Sequence, residues 1–167
     1  RASGTVYPTA PGTLAGRHDP EVFGFRNLDM FDVHADFTAF RKLMKARNPA
    51  MRFLVTVSPV PLTATASGEH VEVATVYSKS VLRAVCGSLV AEFEDVDYFP
   101  SYEVVTSQRA GGAYYMPNLR SVSEPGVATA MRLFMEAHGG PTGAAGGGAG
   151  KGRRAGAGGG PARGGEA

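Results

Sequence analysis

The groups best equipped for chemistry lie in three short stretches: Ser58 between Val57 and Pro59, His70 at the end of the polar run from Thr63, and Ser101-Tyr102-Glu103 after Pro100. Together a hydroxyl, an imidazole and a carboxylate can donate, accept and relay protons near neutral pH. Position gives the set its meaning. Phe53 to Val57 is apolar except for Thr56, rich in β-branched residues and about strand length, so it is predicted to be a buried strand covered on both faces. Pro59 and Pro61 stop its ladder and open an extended loop. Val96-Asp97-Tyr98-Phe99, closed by Pro100, is predicted to be a second strand that ends in a polar-aromatic turn. Ligands of open parallel sheets sit outside the carboxyl ends of the strands, so both proline-ended strands are expected to deliver their polar groups to one rim.

Helices must hold these strands in place. Val33, Phe37, Phe40 and Met44 recur at helical spacing from Asp32 onward, with Asp32 or Asp36 as cap and Asn48-Pro49 as stop. Arg41, Lys42, Lys45 and Arg47 fall on other faces and are expected to be solvated, a phosphate grip being the alternative. Ser78, Val81, Leu82, Val85, Leu89 and Phe93 mark a second amphipathic helix from roughly Ala74 to Phe93. Ser123-Glu124-Pro125-Gly126 predicts the start of a third, with Ser123 as cap and Val127, Ala130, Met131 and Phe134 on its apolar face. Helix, strand, loop, helix, strand is the grammar of crossover units in a parallel sheet, so the fold class is α/β. Residues 1–30 and Gln108 to Arg120 are dense in turn formers and predicted to be irregular.

Other reactive residues have plainer readings. His18 beside Asp19 could be an oriented base, but neighbours in a polar turn more often face water. His34 lies in a first helical turn and His138 at a frayed helix end, and neither suggests a ligand. Cys86 is the single cysteine, so no internal disulfide and no cysteine metal cluster can form, and its place on an apolar helix side predicts a small buried hydrophobe. No repeat, phosphate-loop glycine pattern, paired-His motif or dinucleotide fingerprint occurs, and neither metal nor cofactor is called for.

From Gly139 onward the chain is nearly all Gly and Ala with scattered Pro and Arg, too poor in side chains to offset its conformational entropy, and is expected to be disordered. In this tail Lys and Arg outnumber the one acid by three, so the remaining chain carries about one net negative charge. Nucleic-acid binding is therefore not expected, a weak tether by the tail being the remote alternative. No stretch has the length of a membrane span and no signal peptide is visible. The chain opens with Arg1 rather than Met, so an upstream segment is expected; the compartment stays open, with the cytoplasm as one candidate.

Three motifs in order carry a family resemblance: Thr56-Val57-Ser58-Pro59-Val60-Pro61-Leu62-Thr63-Ala64-Thr65, then His70-Val71 with Tyr77-Ser78-Lys79-Ser80-Val81-Leu82-Arg83, then Tyr98-Phe99-Pro100-Ser101-Tyr102-Glu103. The chain strongly resembles the GSCFA domain family from about Gly4 to Ala137, including Tyr7-Pro8-Thr9-Ala10-Pro11-Gly12 and Asn118 to Val127. That family is similar to the SGNH/GDSL hydrolases. The resemblance implies a doubly wound parallel sheet flanked by helices, and an esterase or acyltransferase with a serine nucleophile, an oxyanion hole and a histidine base. An acylated saccharide is one candidate substrate. The Ser and Cys motif that names the family has no counterpart here, so residues 1–138 are expected to be the carboxyl-terminal part of the domain, a partial sheet without the nucleophile, followed by the tail 139–167.

SGNH enzymes usually carry Asp-x-x-His after the last strand, where this chain has Asn118-Leu119-Arg120-Ser121. The usual base cannot be carried over. His70 is the best remaining candidate, with a capping or loop-structuring role as the alternative, and Glu103 could orient it as the acid of a triad does. Ser58 could hold substrate or donate to an oxyanion, or satisfy a turn. Ser78, Lys79 and Tyr102 are the expected substrate-binding residues: Lys79, read as lying in a first helical turn, could lower a neighbour's pKa or bind an anionic ligand. A noncatalytic carbohydrate-binding or scaffold domain of the same fold is the rival reading.

Overall fold

The computed structural model describes residues 3–7, 16–17 and 19–139. His18, most of the Tyr7-Pro8 stretch and the tail beyond Gly139 lie outside the described residues. The first helix, α1 (Met30–Arg47), begins two residues before the predicted start because Asp29, not Asp32 or Asp36, is its cap. The Asp29 carboxylate accepts from the backbone N–H groups of Phe31 and Asp32, and Asp32 reaches back to the Asp29 N–H as the second half of a capping box. Asn48 and Pro49 end the helix as expected.

Two short strands follow the predicted positions. Strand β1 (Phe53–Val55) and strand β2 (Val96–Tyr98) pair in parallel, with Phe53 opposite Val96, Leu54 opposite Asp97 and Val55 opposite Tyr98. Between them runs the crossover helix α2 (Val71–Glu92). A parallel pair needs such a long connection, and here a helix supplies it. The described residues contain this two-stranded parallel sheet; the wider doubly wound sheet that the resemblance implies lies beyond what they show.

Burial corrects one sequence expectation. Leu54 is 42% exposed while Phe53 and Val55 are half-buried and Val57 is 1% exposed, so burial alternates along the run. Helices cover one face of the pair only. Val85 and Leu89 of α2 pack on Val96, joined by Val33 and Phe37 of α1 and by Phe53, Val55 and Phe93. The rings of Phe37 and Phe40 meet Phe53 edge-on at 5.9 and 6.0 Å, which places most of the predicted α1 stripe against the sheet. A run of apolar residues looks the same whether one face or two is covered, and so the sequence misleads here.

Of the four cations of α1, Lys42 and Arg47 are exposed as expected, whereas Arg41 and Lys45 are neither a solvated face nor a phosphate grip. Arg41 donates from Nε and Nη2 to Asp95 Oδ1 at 3.0 and 2.5 Å, and stacks at 4.0 Å over the Phe93 ring. Lys45 Nζ lies 2.8 Å from Asp95 Oδ2, an ion contact with poor hydrogen-bond direction. The Asp95 carbonyl meanwhile accepts from Phe53 N at 2.8 Å. One turn residue thus ties α1, β1 and the start of β2 together.

Beyond β2, Ser101-Tyr102-Glu103 is not a turn but the first half of α3 (Ser101–Thr106), followed by a 3-10 helix (Gln108–Ala110). The last helix, α4 (Glu124–His138), starts after Ser123 with Pro125 in its first turn. Ser123 caps by position alone, since its hydroxyl donates to Ala113 O at 3.5 Å. Phe134 meets Phe99 edge-on at 5.4 Å and His138 stacks on Phe134, so that histidine is a packing group. Cys86 is buried, as its helix position predicts.

Two outcomes follow from this packing. Hydrogen bonds from Arg41, with the Lys45 ammonium close to the other oxygen, hold the Asp95 carboxyl down to about 2, against an ordinary value of 3.8. The folded state therefore binds this proton less readily than the unfolded chain, and the stabilisation is full above pH 3.8 and lost as pH falls through 2. Asp95→Asn should show a shallower loss of melting temperature over that window in pH-dependent calorimetry. At Gly126 an added Cβ would lie 2.8 Å from Tyr114 Cβ, 2.9 Å from Val122 Cγ1 and 3.0 Å from Tyr114 O. Because backbone cannot swing aside, Gly126→Ala should cost about 1–3 kcal/mol in a denaturant titration.

Candidate functional site

The carboxyl ends of β1 and β2 form a rim of hydroxyl groups. Thr56 Oγ1 donates to Phe99 O at 2.7 Å and lies 2.6 Å from Ser101 Oγ, which in turn reaches Val57 O at 3.1 Å. Two hydroxyl protons serve three contacts, so they stitch the strand ends together and leave no donor over. Ser58 differs. Its Oγ accepts from Val60 N at 3.2 Å, while its own proton has no acceptor among the described residues. Tyr115 Oη donates to Pro59 O at 2.8 Å and brings the loop of Asn118 and Ser121 to the same edge. Burial and the neighbouring Tyr102 raise the pKa of Tyr115, so it is a neutral donor. In that loop Asn118 Oδ1 accepts from Arg120 N and Ser121 N, and its Nδ2 donates to Ser121 Oγ at 3.0 Å. Asn118 and Ser121 thus spend their polar atoms on folding a loop whose tip, Leu119, is exposed at a φ of 53°.

Next to the rim, α2 and α3 flank an open groove of about 380 Å³ lined by Lys79, Ser80, Arg83, Ala84, Gly87 and Tyr102. Five of the six lie on α2 at i, i+1, i+4, i+5 and i+8, one face of that helix, and Tyr102 enters from α3. Lys79 is not in a first turn, because α2 starts at Val71; it sits in the helix interior and is only 9% exposed. Its ammonium has no hydrogen bond or ion pair among the described residues, and burial pushes its pKa down. Arg83, one turn on, is fully engaged. Its Nε donates to Glu103 Oε1 at 2.5 Å and its guanidinium covers the Tyr98 ring at 4.4 Å.

Glu103 therefore has partners other than the expected one. Tyr98 Oη donates to its second oxygen at 2.8 Å, so both oxygens are occupied and His70 is not among its partners. Burial pushes the Glu103 carboxyl up, but the bonds from Tyr98 and Arg83 outweigh it and keep it below the ordinary value. Desolvation and that same carboxylate raise the Tyr98 phenol far above its usual range. The triad-like pairing of Glu103 with His70 is corrected accordingly, because a nearer guanidinium and phenol satisfy the acid.

His70 is the N-cap of α2, with its side chain 71% exposed. Its Nδ1 accepts from Glu72 N at 3.3 Å, which places the proton of the neutral ring on Nε2. An imidazole in that tautomer offers a donor to solvent and keeps its lone pair for the helix. Of the residues predicted for the site, the groove brings Lys79 and Tyr102 together; Ser58, His70 and half-buried Ser78 are not in its lining. Sequence reasoning missed Ser80, Arg83 and Gly87, although their spacing from Lys79 put them on one helix face.

The chain is thus a mixed α/β protein in which a helical crossover joins two parallel strands and carries a cationic groove beside their carboxyl ends. It belongs to the GSCFA family, whose model matches residues 1–134. No curated protein and no solved structure matches it. No helix among the described residues is long and apolar enough to cross a membrane, and none of their His, Cys, Asp and Glu side chains cluster as a metal site.

The Glu103 arrangement is open to direct measurement. Glu103→Gln removes the negative charge beside Tyr98 but can still accept its hydrogen bond. Tyrosinate absorbance titration should then show one phenol ionising at lower pH than in the unaltered protein.

Proposed function

We propose that the chain is part of an SGNH-like α/β protein that acts on an ester, as an esterase or acyltransferase, with an acylated saccharide as the substrate class. The observation that carries this reading is Ser58, whose hydroxyl proton is uncommitted just past the end of β1, on the edge where parallel sheets bind ligands. In this reading Ser58 donates to a substrate oxygen rather than attacking. Lys79 and Tyr102 line the substrate's path with Ser78 adjacent, and a groove of this volume suits a ligand of small-molecule size. His70 serves as the base after giving up its cap to Glu72, and Glu103 shapes the wall by holding Arg83.

The rival is a noncatalytic carbohydrate-binding or scaffold domain of the same fold. It is favoured by the His70 ring, whose Nδ1 is used by the helix and whose expected acid partner is engaged elsewhere. Turnover of a short-chain aryl ester by the full-length protein, nucleophile segment included, separates the two. His70→Asn keeps a good helix cap while removing the base, so the melting temperature should hold and turnover should fall about 100-fold or more. Unchanged turnover in that variant of the full-length protein removes His70 as base, and no turnover of any ester or acyl donor by the unaltered full-length protein favours the rival.

A further inference from the structure

Lys79 is the only charged residue that is buried among the described residues. Its stem is covered while its ammonium keeps access to the open groove, and a cation partly withdrawn from water in this way is commonly matched by a carboxylate. The acid nearest this groove cannot match it, since both oxygens of Glu103 are taken by Arg83 and Tyr98. Asp95 is held by Arg41 and Lys45, on the α1 side of the sheet. No acid lines the groove. Glu103 neutralises Arg83, and the charge of Lys79 is left over.

The flanking groups have the same polarity. The hydroxyls of Ser80 and Tyr102 also line the groove, and neither makes a hydrogen bond among the described residues. An ammonium with three N–H donors and two hydroxyls able to donate therefore face one open space whose lining holds no carboxylate. That is the complement of an oxyanion, to which charge-assisted hydrogen bonds are short and strong. Gly87 keeps the wall low: a Cβ there would lie 3.3 Å from Arg83 Nη1.

We propose that this groove binds an anionic oxygen group of the ligand, a carboxylate or a phosphate, through Lys79, with Ser80 and Tyr102 donating alongside. The proposal rests on the preceding reading only in taking the groove as the ligand's wall, and it specifies that the ligand is charged. Depression of the Lys79 pKa by burial agrees with a cation lacking its counter-ion. The site is expected to weaken the unliganded fold and to be relieved when the anion arrives, so binding and stability are coupled.

Thermal melting of the full chain tests this with sodium phosphate or sodium acetate added at constant ionic strength against sodium chloride, at mildly acidic pH where the amine is protonated. The unaltered protein should gain on the order of 3 °C at ten times the dissociation constant. The larger response of the two names the group. Lys79→Met should melt higher than the unaltered protein without added anion and gain nothing from it, while Lys42→Met, on the exposed side of α1, should respond as the unaltered protein does. Equal melting in phosphate, acetate and chloride overturns the proposal, as does a Lys79→Met response equal to that of the unaltered chain. If that variant fails to fold, acetylation of Lys79 read by peptide mass spectrometry decides the matter: protection by phosphate or acetate supports the proposal, and its absence from both overturns it. Since neither readout uses turnover, an inactive protein that still responds to anion sinks the ester reading alone.

Discussion

The arrangement of this protein depends on Asp95. Its carbonyl accepts from Phe53 at the start of β1, its carboxylate takes Arg41 and Lys45 from α1, and its own position is the turn between α2 and β2. Three elements far apart in sequence meet at one residue. A two-stranded sheet with a single covered face has little apolar area with which to fix its helices. Charge-assisted bonds to a largely desolvated carboxylate add direction, which hydrophobic contact lacks. With α1 secured, Phe37 and Phe40 rest on Phe53, and the α2 residues Val85 and Leu89 are closed in from one side.

A second polar knot repeats the device on the other flank. Arg83, Glu103 and Tyr98 join α2, α3 and β2, and the aromatic ring under the guanidinium adds a cation–π contact to a pair that stays open to water. The pairing has a side effect. Lys79 and Arg83 are one turn apart on the same helix, yet Glu103 pairs with the arginine, and Lys79 has no acid partner among the described residues. Structural cohesion and an available positive charge thus sit one turn apart on the same helix face.

At the rim the division of labour is similar. Thr56 and Ser101 spend their protons on the backbone carbonyls of the strand ends, while Asn118 folds its own loop by donating to Ser121 Oγ and accepting from Ser121 N. Ser58, just past the end of β1, keeps its hydroxyl proton to give. His70 pays for the start of α2 with its ring nitrogen, so the residue most suggestive of catalysis in the sequence has a structural duty as well.

By itself the sequence determined the helical stripes of α1, α2 and α4, the two strand positions, the proline stops and the family, because periodicity and punctuation are local and survive without knowledge of neighbours. It also singled out Lys79 and Tyr102, and both line one groove. It could not say that Leu54 faces out, that Asp29 caps α1, or that Ser101 to Thr106 is helical, since each turns on which surface another element covers or which donor lies within reach. Only the tertiary structure assigned partners to the charges. Arg41 finds Asp95 across 54 residues and Arg83 finds Glu103 across 20, and electrostatic pairing depends on ångströms in space, a quantity that spacing along the chain does not encode.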